Sequence, residues 1–283
     1  MPQLTEHLSK ELLARFGVSV PRGILATTPE EAAGAAASLG LPVAVKAQVP
    51  VGGRGNAGGI RRADSEAEAR AAFEAVTALA FDGLPVSTAR VEPWEPCVAE
   101  YYVSIVVDPD CAGPVVLLSP SGGVDLDTGA NVVRIPLRDD GSVPATVFRE
   151  EAYTAAIRPD VTERLLGVAQ SLARAYAATD ARLVEVNPLG LTAEGHLIAL
   201  DARVIVDDHA LYRQPEIARF VTQRQPRREE DVVRDRTRLE YVRLGGWLGL
   251  ISGGAGMTMA AMDLIDDLGG AAACFLDCSN NPT

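Results

Sequence analysis

The run Leu183-Val184-Glu185-Val186-Asn187-Pro188-Leu189 restricts this chain more than any other stretch. Its alternation is that of a half-buried strand, with Val184 and Val186 on one face and Glu185 and Asn187 on the other. Ala193-Glu194-Gly195 supplies a turn, and His196-Leu197-Ile198-Ala199-Leu200-Asp201 runs back, so the whole reads as a β-hairpin. A turn centred on Glu194 sets Asn187 opposite Asp201, because both lie the same distance from it in sequence. Glu185, Asn187 and Asp201 then share one face of a rigid ribbon. Two carboxylates and an amide oxygen in that arrangement suit Mg²⁺ held together with nucleotide phosphates. The alternative is an antiparallel hairpin with an ordinary polar outer face.

The remainder alternates helices and strands. Leu4, Leu8, Leu12 and Phe16 fall on one helical face, and Gly17 stops that helix. Thr28, Pro29 and Glu31 open a second helix with a capping-box pattern, which runs to Gly40. Pro42 to Gln48 is a strand, and Asp64 to Leu79 an alanine-rich helix. Arg90 to Glu92, Val98 to Val107 and Val115 to Leu118 are strands; Leu126 to Ala145 carries no clear pattern. Pro159 to Thr179 is a helix with Val161, Leu165, Val168, Leu172 and Tyr176 inward. Arg224 to Arg238 is dense in charge and contains Pro226, which marks a partly helical linker. Beyond Gly246, a buried strand (Trp247 to Ile251), a turn, a helix (Met257 to Leu268) and a second strand (Ala271 to Leu276) make one β-α-β unit. An open parallel sheet needs more than two strands, so this second domain is expected to be incomplete or completed by another chain.

With 283 residues, 47% of them hydrophobic and 23% charged, the chain has material for two domains with sizeable cores. A net charge of −12 disfavours nucleic acid and anionic membrane as partners. No apolar run reaches transmembrane length and no secretory segment opens the chain. Cys97, Cys111, Cys274 and Cys278 are scattered, and His7, His196 and His209 are too dispersed for a zinc cluster. A reducing, cytoplasmic setting is expected.

Three further stretches carry chemistry. Lys46 ends an apolar strand just ahead of Gly52-Gly53-Arg54-Gly55-Asn56-Ala57-Gly58-Gly59. A lysine there needs an anion, and glycine N–H groups approach phosphate oxygens closely. A strand, a lysine and a glycine loop favour phosphate binding over a solvated surface loop. Glu92 and Glu100 flank a stiff Pro93-Trp94-Glu95-Pro96 connection that can face a nucleoside, although such glutamates are also ordinary solvated residues. Ser252-Gly253-Gly254-Ala255-Gly256 opens a helix, which makes either an anion site or a close helix–strand crossing. It is not a Walker loop, since no Lys-Ser/Thr pair follows.

Taken together, Val45-Lys46-Ala47-Gln48-Val49, the glycine loop, Glu185-Val186-Asn187-Pro188-Leu189, Leu200-Asp201-Ala202, Ala210-Leu211-Tyr212-Arg213-Gln214-Pro215, Gly254-Ala255-Gly256 and Phe275-Leu276-Asp277 resemble the β subunit of ADP-forming succinate–CoA ligase. The segments Leu13 to Val18 and Ser119 to Asp127 agree, and the resemblance spans essentially the whole chain. It implies an α/β protein: an α+β ATP-grasp domain over residues 1–223, a linker over 224–245, and the first β-α-β unit of a truncated, flavodoxin-like CoA-ligase domain over 246–283. It implies that Lys46, Gly53, Arg54 and Gly55 bind phosphates and that Glu92, Glu95 and Glu100 contact the nucleotide. Asn187 and Asp201 would be the Mg²⁺ ligands, and Glu185 would lie near a phosphohistidine carried by an α-type partner subunit. Gly253, Gly254, Ala255 and Gly256 would meet that phosphohistidine or the carboxylate substrate. ATP is favoured over GTP by Pro21, and CoA would be bound mainly by the partner. The chain departs from the family's pattern at Asn56, where many members carry lysine, and at Gly253, where asparagine is typical. After Asp277, Cys278-Ser279-Asn280-Asn281-Pro282-Thr283 stands in place of a glycine-rich loop. The resemblance leaves the acid open among succinate, malate or another small carboxylate; the other readings are a nucleotide-binding subunit without catalysis and an ATP-grasp ligase acting alone through an acyl-phosphate.

Overall fold

The computed structural model describes residues 2–123, 131–223, 229–237 and 239–278. Residues 124–130, which overlap the Ser119 to Asp127 and Leu126 to Ala145 stretches, 224–228 and 238, in the stretch read as linker, and 279–283, in the segment after Asp277, lie outside the described residues. The chain forms two compact units, Met1–Pro226 and Arg227–Thr283.

The first unit holds two larger sheets, each with helices packed against it, and a two-stranded ribbon. It opens with α1 (Glu6–Arg15), β1 (Ile24–Ala26), α2 (Pro29–Leu39), β2 (Val43–Ala47), β3 (Ile60–Ala63) and α3 (Glu66–Thr77). A short ribbon of β4 (Ala80–Phe81) and β5 (Leu84–Pro85) leads to β6 (Ala89–Pro93). The four-stranded sheet has the order β1-β6-β2-β3. Thr28 caps α2, its Oγ1 accepting from the Glu31 N–H at 3.2 Å. Glu31 returns the bond to the Thr27 N–H at 2.7 Å, one residue earlier than a capping box places it. Small residues of α2 and α3 (Ala32, Ala36, Ala69, Ala72) let both helices close on Val43, Val45 and Val91.

The second sheet contains β7 (Ala99–Asp108), β8 (Gly113–Ser119), β9 (Val133–Pro136), β10 (Ala181–Leu191), β11 (Leu197–Ala199) and β12 (Ala202–Val206). Its order is β11-β10-β7-β8-β9, with β12 also on β10. Helices α4 (Ala145–Thr154) and α5 (Pro159–Ala178) cover it. Val161, Leu165 and Leu172 of α5 are fully buried against Val103, Ile105, Val184 and Val186, while Val168 and Tyr176 pack at the margin. Helix α1 adds Leu8, Leu12 and Leu13 to the same core, and Leu4 joins them just ahead of the helix. Helix α6 (Pro215–Gln223) follows a tight helical turn at Asp208–Arg213.

The hairpin register is that expected from its sequence. Leu189, Gly190 and Leu191 pair with Ala199, Ile198 and Leu197, and the Asn187 N–H donates to the Asp201 carbonyl at 3.3 Å. The return strand is nevertheless two pieces, broken at Leu200–Asp201 between β11 and β12. Proline 188 has no N–H to offer, and the pairing of β10 with β7 shifts register between Val186 and Leu189. The break matters, because it frees the Leu200 carbonyl from the ladder.

The second unit holds α7 (Glu229–Thr237), β13 (Glu240–Arg243), β14 (Leu248–Ser252), α8 (Ala255–Asp267) and β15 (Ala272–Asp277). Strands β14 and β15 are parallel, the β-α-β unit read from the sequence. Strand β13 runs antiparallel to β15, within the stretch read as linker. Its short, charge-flanked pattern gives no strand signal by itself, and pairing with β15 supplies the order. Trp247 and Ile251, read as part of a buried strand, are 73% and 75% exposed: Trp247 precedes β14, and no residue of β14 is buried, Leu248, Leu250 and Ser252 being half-buried and Gly249 and Ile251 exposed.

Candidate active site

A cavity of about 200 Å³ lies between the glycine loop and the hairpin. The loop wall is Gly52, Gly53, Arg54 and Gly55; the hairpin wall is Glu185, Asn187, Asp201 and Arg203. The loop is folded back on itself, with Gly59 N–H donating to Arg54 O at 2.8 Å and Ala47 N–H to Gly59 O at 2.8 Å. Gly53 and Gly58 sit at φ 73 and 76, the left-handed region where a side chain is strained. A Cβ on Gly59 would stand 3.0 Å from the Arg54 carbonyl, so the loop closes around Arg54 only with glycine there.

Arg54 ties the two walls together. Its Nη2 donates to Asp201 Oδ1 and Oδ2, both at 2.8 Å, its Nη1 donates to Ala47 O at 2.8 Å, and Nη1 stands 2.9 Å from Glu6 Oε2. Asp201 Oδ1 also accepts from the Ala202 N–H at 2.7 Å. Burial pushes the Asp201 carboxyl above its ordinary value, by more than Arg54 pulls it down. Glu185 is likewise raised, by burial first, with Arg203 opposing. A chain of hydroxyls orients it: Ser104 Oγ donates to Tyr102 Oη at 2.8 Å, and Tyr102 donates to Glu185 Oε2 at 3.4 Å. Burial and Glu185 push the Tyr102 phenol up to about 12, so it stays a donor. Asn187 is held by one residue, with Gly123 N–H donating to its Oδ1 at 2.6 Å and its Nδ2 donating to Gly123 O at 3.2 Å. Two carboxyls beside an oriented amide oxygen form an all-oxygen donor set, which fits a hard divalent cation.

Lys46 and Glu92 stand behind this cavity in a buried ion cluster. The Lys46 ammonium lies 2.7 Å from Glu92 Oε1 and donates to Glu6 Oε1 at 3.1 Å and to Leu200 O at 2.5 Å, which occupies all three of its hydrogens. Lys10 donates to Glu92 Oε1 and Oε2 at 2.8 and 2.9 Å and to Leu200 O at 2.7 Å, and pairs with Glu6 Oε1 at 2.7 Å. Arg90 Nε donates to Glu92 Oε2 at 2.6 Å. Burial opposes ionisation of Glu6, but Lys10, Lys46 and Arg54 outweigh it and hold the carboxyl well below its ordinary range. Burial likewise works against the Lys46 ammonium, and Glu6 and Glu92 more than restore it.

The fold thus brings Gly53, Arg54, Gly55, Glu185, Asn187 and Asp201 onto one cavity and sets Lys46 and Glu92 behind it. Glu95 and Glu100 are not part of its lining; Glu92, expected on a nucleoside, is only 1% exposed. Glu100 Oε2 comes close to Gly123, 3.5 Å from where a Cβ on that glycine would be. Gly253 to Gly256 belong to the second unit, where the Gly254 N–H at the head of α8 donates to Asp277 Oδ1 at 2.9 Å. Sequence reasoning missed Glu6, Lys10, Tyr102 and Arg203. Glu6 and Lys10 have an i,i+4 spacing, ordinarily that of a solvated surface pair. Their burial follows only from the first sheet closing over α1. Among the described residues no three His, Cys, Asp or Glu side chains form a metal cluster, and no helix is long and apolar enough to cross a membrane.

Residues 3–191 match the model of an ATP-grasp domain family. The chain is 40% identical over 286 residues to the succinate–CoA ligase [ADP-forming] subunit beta of Rubrobacter xylanophilus, covering 97% of this chain and 73% of that protein. It is 38% identical, with the same coverage, to the corresponding Halobacterium salinarum subunit and to the succinate–CoA ligase [GDP-forming] subunit beta of Thermus thermophilus. Among solved structures it is similar to ATP citrate lyase from Methanothrix soehngenii, with a TM-score of 0.68 and 22% identity over 98% of this chain and 72% of that one. It is also similar to a dinucleotide-forming acetyl-coenzyme A synthetase of Ca. Korarchaeum cryptofilum, with a TM-score of 0.62 and 23% identity over 73% of this chain and 94% of that one.

Proposed function

The chain belongs to the succinate–CoA ligase β-subunit family of ATP-grasp ligases, and from that premise we propose that the cavity between glycine loop and hairpin binds Mg-ATP for phosphoryl transfer to a histidine of an α-type partner. The phosphoryl group would then serve acyl-CoA formation from a small carboxylic acid, with CoA bound mainly by the partner. The single observation that carries this reading is Arg54 bridging the glycine loop to Asp201 across the cavity. It joins a cationic, N–H-rich wall to an oxygen-rich one, the pair of surfaces a metal-bound polyphosphate needs. Asn187 and Asp201 would hold Mg²⁺, which when bound neutralises phosphate charge. The Gly53 to Gly55 loop accepts phosphate oxygens. Asp201 gives up part of its contact with Arg54 to do its work, which turns that guanidinium towards phosphate. Glu185, kept in place by Tyr102, faces the arriving histidine. Lys46 supplies positive potential from behind and touches phosphate only by exchanging a carboxylate partner. Glu95 and Glu100 contact the nucleoside, and Gly253 to Gly256 receive the acid or the phosphohistidine.

Calorimetric titration of Mg-ATP into the wild type and into Asn187→Ala/Asp201→Ala tests the reading. Magnesium-dependent binding by the wild type, weakened at least about tenfold in the double variant, is expected. A folded wild type that does not bind, or a double variant that binds unchanged, sinks it. A nucleotide-binding subunit without catalysis, favoured by Asn56 in the loop, is separated from this reading by phosphate transfer to a reconstituted partner.

A further inference from the structure

Arg203 is the cation of this cavity whose donors are not taken up by the protein. Lys10, Lys46, Arg54 and Arg90 all bond to carboxylates or carbonyls. The Arg203 Nε is buried without a hydrogen-bond partner. A guanidinium carries five N–H donors in a rigid fork, and burying any of them unmatched is costly unless something arrives to accept it. The residue does not stand there by accident of packing. In β12, Ala202, Val204 and Val206 fill the core, and alternation turns Arg203 to the opposite face. The register sets it directly across from Glu185. Its Nη1 lies 3.5 Å, and its Cζ 3.8 Å, from the position a Cβ would take on Gly52, so the guanidinium rests against the glycine loop.

Resting on the Mg-ATP reading above, we propose that Arg203 grips the terminal phosphoryl group of the nucleotide and makes the site prefer a triphosphate to a diphosphate. Planar, bidentate donation to a tetrahedral anion is what a guanidinium does best. Arg54 cannot take this part alone, since Ala47 and Glu6 keep it at the loop even when Asp201 releases part of its contact. Among the described residues no hydrogen bond ties the Arg203 guanidinium to the protein, and it faces Glu185, which the Mg-ATP reading sets next to the phosphoryl acceptor.

The test is calorimetric titration of the full chain with Mg-ADP and with a magnesium-bound non-hydrolysable ATP analogue, for wild type, Arg203→Met and Arg203→Lys. Losing charge-assisted hydrogen bonds predicts analogue binding weakened about 10- to 100-fold in Arg203→Met, with Mg-ADP within about twofold of wild type. Arg203→Lys, which keeps the charge and loses the fork, falls between them. Arg203→Gln serves in place of Arg203→Met if that variant does not fold. Unchanged analogue binding overturns the proposal, and so does an equal loss for both nucleotides, which marks a residue that only shapes the pocket. A wild type that binds neither nucleotide overturns the Mg-ATP reading itself, a result distinct from both.

Discussion

Glu6→Gln tests the buried ion cluster with little change of shape. Glu6 is fully enclosed and accepts from or pairs with Lys10, Lys46 and Arg54 at 2.7, 3.1 and 2.9 Å. The cluster sets four positive groups (Lys10, Lys46, Arg54, Arg90) against three negative ones (Glu6, Glu92, Asp201). The amide removes one of the three anions and aims an N–H₂ group at ammonium donors that need an acceptor. Breaking a buried charge pair on one side costs about 3–5 kcal/mol, a large share of the roughly 5–15 kcal/mol that holds a domain together. With a urea dependence of about 3 kcal/mol per molar, the unfolding midpoint of the first unit is expected to fall by about 1–2 M. Lys10→Met supplies the discriminating comparison. It removes a side chain just as buried, yet leaves three cations facing three anions, so it is expected to cost less than Glu6→Gln. Glu11→Gln is the control: Glu11 is 45% exposed and pairs with His7 at 3.3 Å, and it is expected to shift stability by no more than about 0.5 kcal/mol. Glu6→Gln within about 1 kcal/mol of wild type, or Lys10→Met more damaging than Glu6→Gln, would refute the charge-balance reasoning.

Two further outcomes follow from the same geometry. Glu6 and Glu92 are held below their ordinary 4.5, each against the effect of burial, by the surrounding cations, and His7 is lowered from its ordinary 6.5, chiefly by burial. Groups lowered in the folded state bind more protons when unfolded, so the stability these three contribute is fully present above 6.5, with the raised Asp201 and Glu185 carboxyls opposing it. It declines as His7 titrates and falls more steeply below 4.5, which urea midpoints between pH 7 and 4 will show; a flat profile contradicts it. At Gly253 a Cβ meets nothing within 4 Å, so Gly253→Asn is expected to leave the melting temperature unchanged. If Gly253 occupies the position the resemblance assigns to an asparagine, the wild type reconstituted with an α-type partner is expected to use another small carboxylate better than succinate. Gly253→Asn is expected to raise succinate turnover in that complex; equal or better succinate turnover by the wild type speaks against a changed acid pocket.

Local chemistry made much of this protein legible before any fold was known. Alternation and an Ala-Glu-Gly turn determine the hairpin and its register, because side-chain direction in a strand has period two and the turn leaves one pairing. Thr28-Pro29 and Gly40 delimit α2 because N–H groups at one end need an acceptor and the other end needs a residue free of strain. The glycine loop is legible for the same reason: Gly53 and Gly58 adopt a backbone conformation that other residues resist.

The tertiary structure alone decided which charges face each other. Whether Glu6 and Lys10 are a solvated helical pair or the centre of an ion cluster depends on a sheet 40 and 82 residues away in sequence closing over them. Lys46 reads as a waiting phosphate ligand until the break at Leu200 presents a carbonyl to it. Strand β13 exists through its partner, and Arg203 is merely a charged residue in a strand until the glycine loop arrives above it. The reason is common to all of these. A side chain's conformation and alternation depend on its near neighbours in sequence, whereas its burial and counter-charges are supplied by distant segments whose approach no local pattern encodes.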